Sequence, residues 1–132
     1  MIGFDTNLLV RLLVDDDAKQ SAAAERFMLK HCSEESPGYV NRIVLCELVW
    51  VLQRAYRFPR AAIADILDRL LRARELYLED SAAVRAALED FRVGPAGFAD
   101  CLIATTSRAA GIESTATFDR EAAAIPGFVL VE

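Results

Sequence analysis

Apolar residues recur along the chain with two periods, and the alternation between them lays out the elements. Residues 1–5 (Met-Ile-Gly-Phe-Asp) read as a short apolar strand that stops at a carboxylate, Asp5. Thr6 and Asn7 follow, and the run Leu8, Leu9, Val10, Leu12 and Leu13 predicts a short helix over residues 8–14. Asp15, Asp16 and Asp17 make a solvated acidic turn of the kind that starts a helix. The helix it starts runs over residues 18–31, with Ala22, Phe27 and Met28 among its apolar positions and His31 at its end. Pro37-Gly38 marks a turn, Tyr39-Val40 a short strand, and Asn41 an N-cap. The helix expected over residues 42–57 is apolar almost all round, which suits a central helix or one covered by another chain.

Phe58-Pro59 breaks the chain, after which Ile63, Ile66, Leu67, Leu70 and Leu71 repeat at helical spacing through residue 74. Residues 75–79 alternate as a strand, and Asp80 or Ser81 caps a helix that runs through residue 92. Gly94-Pro95-Ala96-Gly97 is a loop, and Phe98 opens a helix that Gly111 ends. A strand over 112–117, a helical turn over 119–124 and a strand over 128–131 complete the chain. Strands alternating with helices predict an α/β fold: a mainly parallel sheet of about five strands flanked by helices on both faces, an α/β/α sandwich. The length suits one domain over residues 1–132.

Composition narrows the function classes. Hydrophobic residues make up 54% and charged residues 27%, enough for a core and against disorder. No apolar run is long enough to span a bilayer, and no basic segment followed by a longer apolar one opens the chain. Cys32, Cys46 and Cys101 are an odd set at spacings unlike a zinc site, which favours reduced thiols and a cytoplasmic setting. The net charge of −5 argues against tight, nonspecific nucleic-acid binding, yet leaves room for an enzyme that gathers acids in one pocket. The basic residues are nearly all Arg, the better residue for bidentate phosphate contacts.

Four acids stand out by position. Asp5 ends the first strand and Asp119 follows the strand that ends at Thr117, so both belong at carboxyl ends of strands, where open parallel sheets bind ligands. Glu47 interrupts an apolar helix, and Asp100 falls in the first turn after a Gly-rich loop. The competing readings are structural: Asp5 or Thr6 as a helix cap, and Glu47 facing solvent. Clustered carboxylates raise one another's pKa, and a divalent cation resolves the conflict. An oxygen-only donor set favours Mg²⁺ or Mn²⁺ over zinc. Cys46 and Cys101 adjoin two of the acids but face elsewhere on their helices, as small core residues do.

Phe4-Asp5-Thr6-Asn7, Leu45-Cys46-Glu47-Leu48, Phe98-Ala99-Asp100-Cys101-Leu102-Ile103-Ala104 and Thr117-Phe118-Asp119 together resemble the PIN domain, and more narrowly its bacterial VapC-type toxins. The resemblance runs over nearly the whole chain. It implies a Mg²⁺- or Mn²⁺-dependent ribonuclease held inactive by a VapB-type antitoxin, with RNA as substrate and products ending in 5′-phosphate and 3′-hydroxyl. The family's acidic quartet falls on Asp5, Glu47, Asp100 and Asp119, and its supporting polar residues on Thr6, Asn7 and Thr117. Two positions depart from the commonest pattern: Gly97 stands where many relatives carry an acid, and Asn41 where they often carry Ser.

Arg11, Arg42 and Arg120 are candidates for positioning the RNA backbone. Trp50, Val51 and the 63–71 helix carry apolar surface that points, with the resemblance, to a two-fold homodimer. Three rivals remain. A PIN-like protein that only binds RNA or an antitoxin would not need all four acids. An aspartate-nucleophile phosphatase needs a second acid two positions after Asp5, where Asn7 stands. A receiver domain needs a late Lys, and the chain's lysines are Lys19 and Lys30.

Overall fold

In the computed structural model, which describes residues 1–132, the chain runs β1 (Ile2–Gly3), α1 (Thr6–Leu13), α2 (Ala18–His31), β2 (Gly38–Val40), α3 (Arg42–Arg54), α4 (Arg60–Arg72), β3 (Leu76–Leu78), α5 (Ser81–Val93), α6 (Phe98–Ala109), β4 (Thr115–Thr117), α7 (Arg120–Ala123) and β5 (Phe128–Leu130). The fold is α/β, and every strand pair is parallel. The five expected strands are present but divide between two sheets, β1-β2-β3 and β4-β5, where one continuous sheet was expected. Strands of two or three residues make few ladder bonds, so packing carries much of their stability.

The residues cluster into two units. The first comprises Met1–Phe58 and Arg69–Glu79, the second Pro59–Asp68 and Asp80–Glu132. In the first, Ile2 lies opposite Gly38, and Gly38 opposite Leu76. Leu9, Val40, Leu45, Leu48 and Leu52 are fully buried. Gly38 is needed where it is: a Cβ there would come within 2.6 Å of the Phe4 ring. That close approach, with Phe4 N donating to Tyr39 O at 2.8 Å, fixes the chain just ahead of Asp5.

In the second unit, α5 packs on α6, with Val84, Phe91, Phe98 and Cys101 in the core. Thr105 Oγ1 donates to Ala83 O at 3.1 Å across the pair, and Phe91 meets Phe98 edge-on at 6.0 Å.

Local side chains decide where the helices start. Asp5, Asp17, Asn41 and Asp80 each accept a backbone N–H of the following first turn. Asp5 therefore starts α1 at Thr6, two residues before the apolar run. α3 stops at Arg54, short of the expected end, because Arg57 turns left-handed (φ 56°) and Phe58 N reaches back to Leu52 O at 3.0 Å. Gly111, at φ 83°, follows α6 as expected.

The apolar positions of α4 are not the open face anticipated: Ile63, Ile66, Leu67 and Leu70 are buried within the chain. The large exposed apolar residues of α3 are Ile43 and Trp50. No helix is long and apolar enough to cross a membrane.

Candidate active site

In the first unit, the carboxyl end of β1 delivers Asp5. Its Oδ1 accepts Leu8 N at 2.9 Å, so the capping reading holds and occupies one oxygen of the carboxylate. Oδ2 makes no hydrogen bond within the protein. One turn into α3, Glu47 is exposed and receives the Thr6 hydroxyl on Oε1, which likewise leaves Oε2 over. Thr6 is itself buried, so this bond orients Glu47 from a fixed point. Asp5, Thr6, Asn7 and Glu47 line one cavity of about 370 Å³.

The second unit repeats the device. Asp119 follows β4 and caps α7, its Oδ1 accepting Glu121 N at 2.8 Å and Ala122 N at 3.4 Å. Thr117 contributes through the backbone: its hydroxyl accepts Asp119 N at 3.0 Å. Asp100, half-buried in the first turn of α6, makes no side-chain hydrogen bond. Burial pushes its carboxyl above the usual range, and the charge of Asp119 adds to that.

The four acids thus come as two pairs, Asp5 with Glu47 and Asp100 with Asp119, and no group of three or more His, Cys, Asp or Glu side chains is arranged to hold a metal ion. The donor chemistry suits Mg²⁺ or Mn²⁺: every candidate ligand is a carboxylate oxygen, and three of the four carboxylates are tethered by one oxygen with the other spare.

Neighbouring groups take structural parts. Asp16 accepts Arg11 Nη1 at 2.8 Å and the Tyr56 hydroxyl at 2.7 Å, and Arg11 Nε donates to Gln20 at 2.6 Å. The 15–17 acids are therefore a turn and a helix start, as expected. Arg42 pairs with Glu79, and Arg120 is exposed in α7. His31 packs against Phe27 with ring centres 4.4 Å apart and the rings tilted by 38°. Burial raises the Cys46 thiol, and for Cys101 burial with the charge of Asp90 raises it to about 11, so both stay protonated at neutral pH.

Two residues escaped the sequence reading. Tyr56 lines the Asp5–Glu47 cavity and carries no motif. Arg60 donates to Phe91 O, to Gly94 O at 2.6 Å and to Pro95 O at 3.2 Å, with its guanidinium 4.0 Å from the Phe91 ring centre. It ties down the loop that leads into α6 and Asp100. Gly97, the N-cap of α6, makes no side-chain cap, and a Cβ there would meet nothing within 4 Å. An acid would fit at that position, so the glycine is not a steric requirement.

Two strand-end carboxylates, an acid on the helix after the second strand and an acid at the start of a late helix are the candidate site residues of this α/β protein. The PIN-domain family model matches residues 2–127, and the chain belongs to that family. Among curated proteins it is similar to the VapC ribonuclease of Aquifex aeolicus (strain VF5), 24% identical over 116 residues, which cover 88% of this chain and 85% of the relative.

Proposed function

We propose that the chain is a single PIN domain working as a Mg²⁺- or Mn²⁺-dependent endoribonuclease, the toxin of a toxin–antitoxin pair in the cytoplasm. The observation that carries the reading is the one-oxygen tether on Asp5, Glu47 and Asp119: each carboxylate is held rigid while its second oxygen stays unused. A purely structural cap has no need of a second tethered acid beside it. Family membership and similarity to a VapC ribonuclease support the same reading.

In this reading Asp5 and Asp100 hold the cation directly, and Asp119 and Glu47 complete its surroundings. When bound, such a cation would supply a water of lowered pKa and offset charge on the phosphoryl oxygens, the chemistry that would cut an RNA phosphodiester to 5′-phosphate and 3′-hydroxyl ends. Thr6 keeps Glu47 in one orientation. Thr117 orders the backbone of Asp119, and Asn7, next to Asp5, is a third supporting polar group. No side chain acts as nucleophile: both thiols beside the acids are protonated and the one histidine is packed against Phe27. Arg11, Arg42 and Arg120 meet the RNA backbone, the first two by exchanging acid partners for phosphate.

The inhibitor is a VapB-type antitoxin. A cavity of about 360 Å³ lined by Leu8, Ala24 and Phe27, with Asp5 also on its lining, takes the partner's apolar anchors and brings its Arg or Lys to the acids. The test is cleavage of a total RNA pool by antitoxin-free protein. Mn²⁺ supports cleavage, while EDTA or Asp5→Ala abolishes it. Cleavage that persists in EDTA overturns the reading.

A further inference from the structure

The cavity that holds Asp5 and Glu47 has a second wall unrelated to metal chemistry. Val10, Val51, Ala55 and the Tyr56 ring form it, beside the polar lining made by Asp5, Asn7 and Glu47. Three features shape that wall. α3 places Val51 one turn beyond Glu47 and Ala55 one turn beyond Val51, so the three line one side of the helix. The left-handed turn at Arg57 ends α3 and brings the chain back just after Tyr56. The Tyr56 hydroxyl donates to Asp16 at 2.7 Å, and the ring lies edge-on to Phe58 at 6.2 Å, which pins the ring in place. The outcome is a cleft of about 370 Å³ whose lining joins the aromatic Tyr56 and the aliphatic Val10, Val51 and Ala55 to the polar Asp5, Asn7 and Glu47, with Val51 and Ala55 one and two turns beyond Glu47 along α3. Small-molecule clefts start at about 300 Å³.

We infer that this cleft is a nucleobase subsite: it takes one unstacked base of single-stranded RNA next to the phosphodiester being cut. The inference rests on the ribonuclease reading and assigns the base-selecting residues of that site. The occupant follows from the chemistry of the two parts of the lining. An RNA nucleotide carries its anionic phosphate beside a planar, largely apolar base. Phosphate belongs with the metal-holding acids, and the base with the apolar wall. Single-stranded bases are bound by stacking on aromatic side chains and read at their edges. The Asn7 amide offers a donor and an acceptor to such an edge. A protein side chain would leave the apolar wall poorly filled, and a free anion would be repelled by Asp5 and Glu47. Tyr56 and Val51 are thus specificity residues, remote from the reacting atoms.

The experiment compares wild type with Val51→Phe, which fills the cleft, Tyr56→Ala, which opens its wall, and Tyr56→Phe, which keeps the ring but loses the bond to Asp16. Antitoxin-free proteins are given a randomised single-stranded RNA library with Mn²⁺, and the cut ends are sequenced. In parallel, binding of the four ribonucleoside 5′-monophosphates is followed by protein NMR with Mg²⁺ present, which offsets the charge of Asp5 and Glu47 towards the phosphate. The expected result is a base preference at one position beside the cut, flattened or changed in Val51→Phe and Tyr56→Ala and kept in Tyr56→Phe. KM for the preferred RNA should rise about tenfold in the first two variants, with a smaller change in kcat. Mononucleotide shifts at Tyr56 should be lost in Val51→Phe. An unchanged preference and unchanged KM in folded Val51→Phe and Tyr56→Ala overturns the subsite while leaving the ribonuclease reading intact. A wild type that cuts no RNA yet binds mononucleotides in a Val51→Phe-sensitive way overturns the ribonuclease reading and keeps the subsite. Neither cleavage nor binding removes both.

Discussion

Asp100 is an acid that the metal-free protein holds at a cost. It is half-buried, has no hydrogen-bond donor, and sits in the field of Asp119, so its carboxyl titrates above the ordinary 3.8. A native pKa above the unfolded one means that ionisation opposes folding; the penalty appears as pH rises past the unfolded value and is in force at neutral pH. Asp100→Asn removes that penalty. In EDTA its melting temperature should exceed that of wild type, while its cleavage rate falls by at least about 10- to 100-fold. Mn²⁺ should stabilise wild type and leave the variant nearly unmoved. A drop in melting temperature of Asp100→Asn in EDTA would show that Asp100 is a structural carboxylate instead. The residues in this account differ in how visible they were. Asp5, Glu47, Asp100 and Asp119 announced themselves because each breaks a local pattern: a strand end, an apolar helix, a helix start. Tyr56 and Arg60 break none, and their roles depend on contacts with Asp16 and with residues 91–95, far along the chain.

At the scale of elements, α3 matters most because it carries Glu47 and one side of the base cleft. Two side chains satisfy its N-terminus. Asn41 accepts Val44 N at 2.8 Å, and Glu79, arriving after β3, accepts Arg42 N at 2.9 Å. The Glu79 carboxyl is held below its ordinary 4.5, first by that backbone bond and then by the Arg42 side chain. A lowered native pKa gives a contribution that is complete above 4.5 and disappears as pH falls through the native value. Glu79→Gln should therefore cost roughly 0.5–1 kcal/mol at pH 7, a modest figure because the pair is partly solvated. The cost should shrink towards zero in denaturation curves taken at progressively lower pH below 4.5. A cost independent of pH would assign the effect to shape. Asn41 was legible as a cap because capping is decided within three residues, as were Asp17 and Asp80. Glu79 was not, since its bond spans 37 positions. The helix ends shifted for a related reason: the left-handed Arg57 that stops α3 is a non-glycine in a conformation that composition does not advertise.

For the whole molecule, the α/β class and parallel pairing followed from the alternation of periods, whereas the division of five strands into three and two did not. Strand pairing is non-local, and strands of two or three residues leave little pattern to read. Since α4 buries its apolar positions, what remains of the expected dimer patch is the face of α3 that exposes Trp50. We expect a two-fold homodimer through that face, with light scattering giving about twice the 14.6 kDa chain mass at micromolar concentration and Trp50→Glu returning it to the monomer. A monomer mass for wild type would remove the dimer.

The central claim is that the candidate carboxylates Asp5, Glu47, Asp100 and Asp119 are there to hold a divalent cation. The most direct measurement is Mn²⁺ binding, by calorimetry and by the electron spin resonance of free Mn²⁺, to wild type and to Asp5→Asn, Glu47→Gln, Asp100→Asn and Asp119→Asn. The account predicts that wild type binds Mn²⁺ and that each variant binds it more weakly, Asp5→Asn and Asp100→Asn by about tenfold or more. Binding that survives at wild-type affinity in Asp5→Asn or in Asp100→Asn would contradict it.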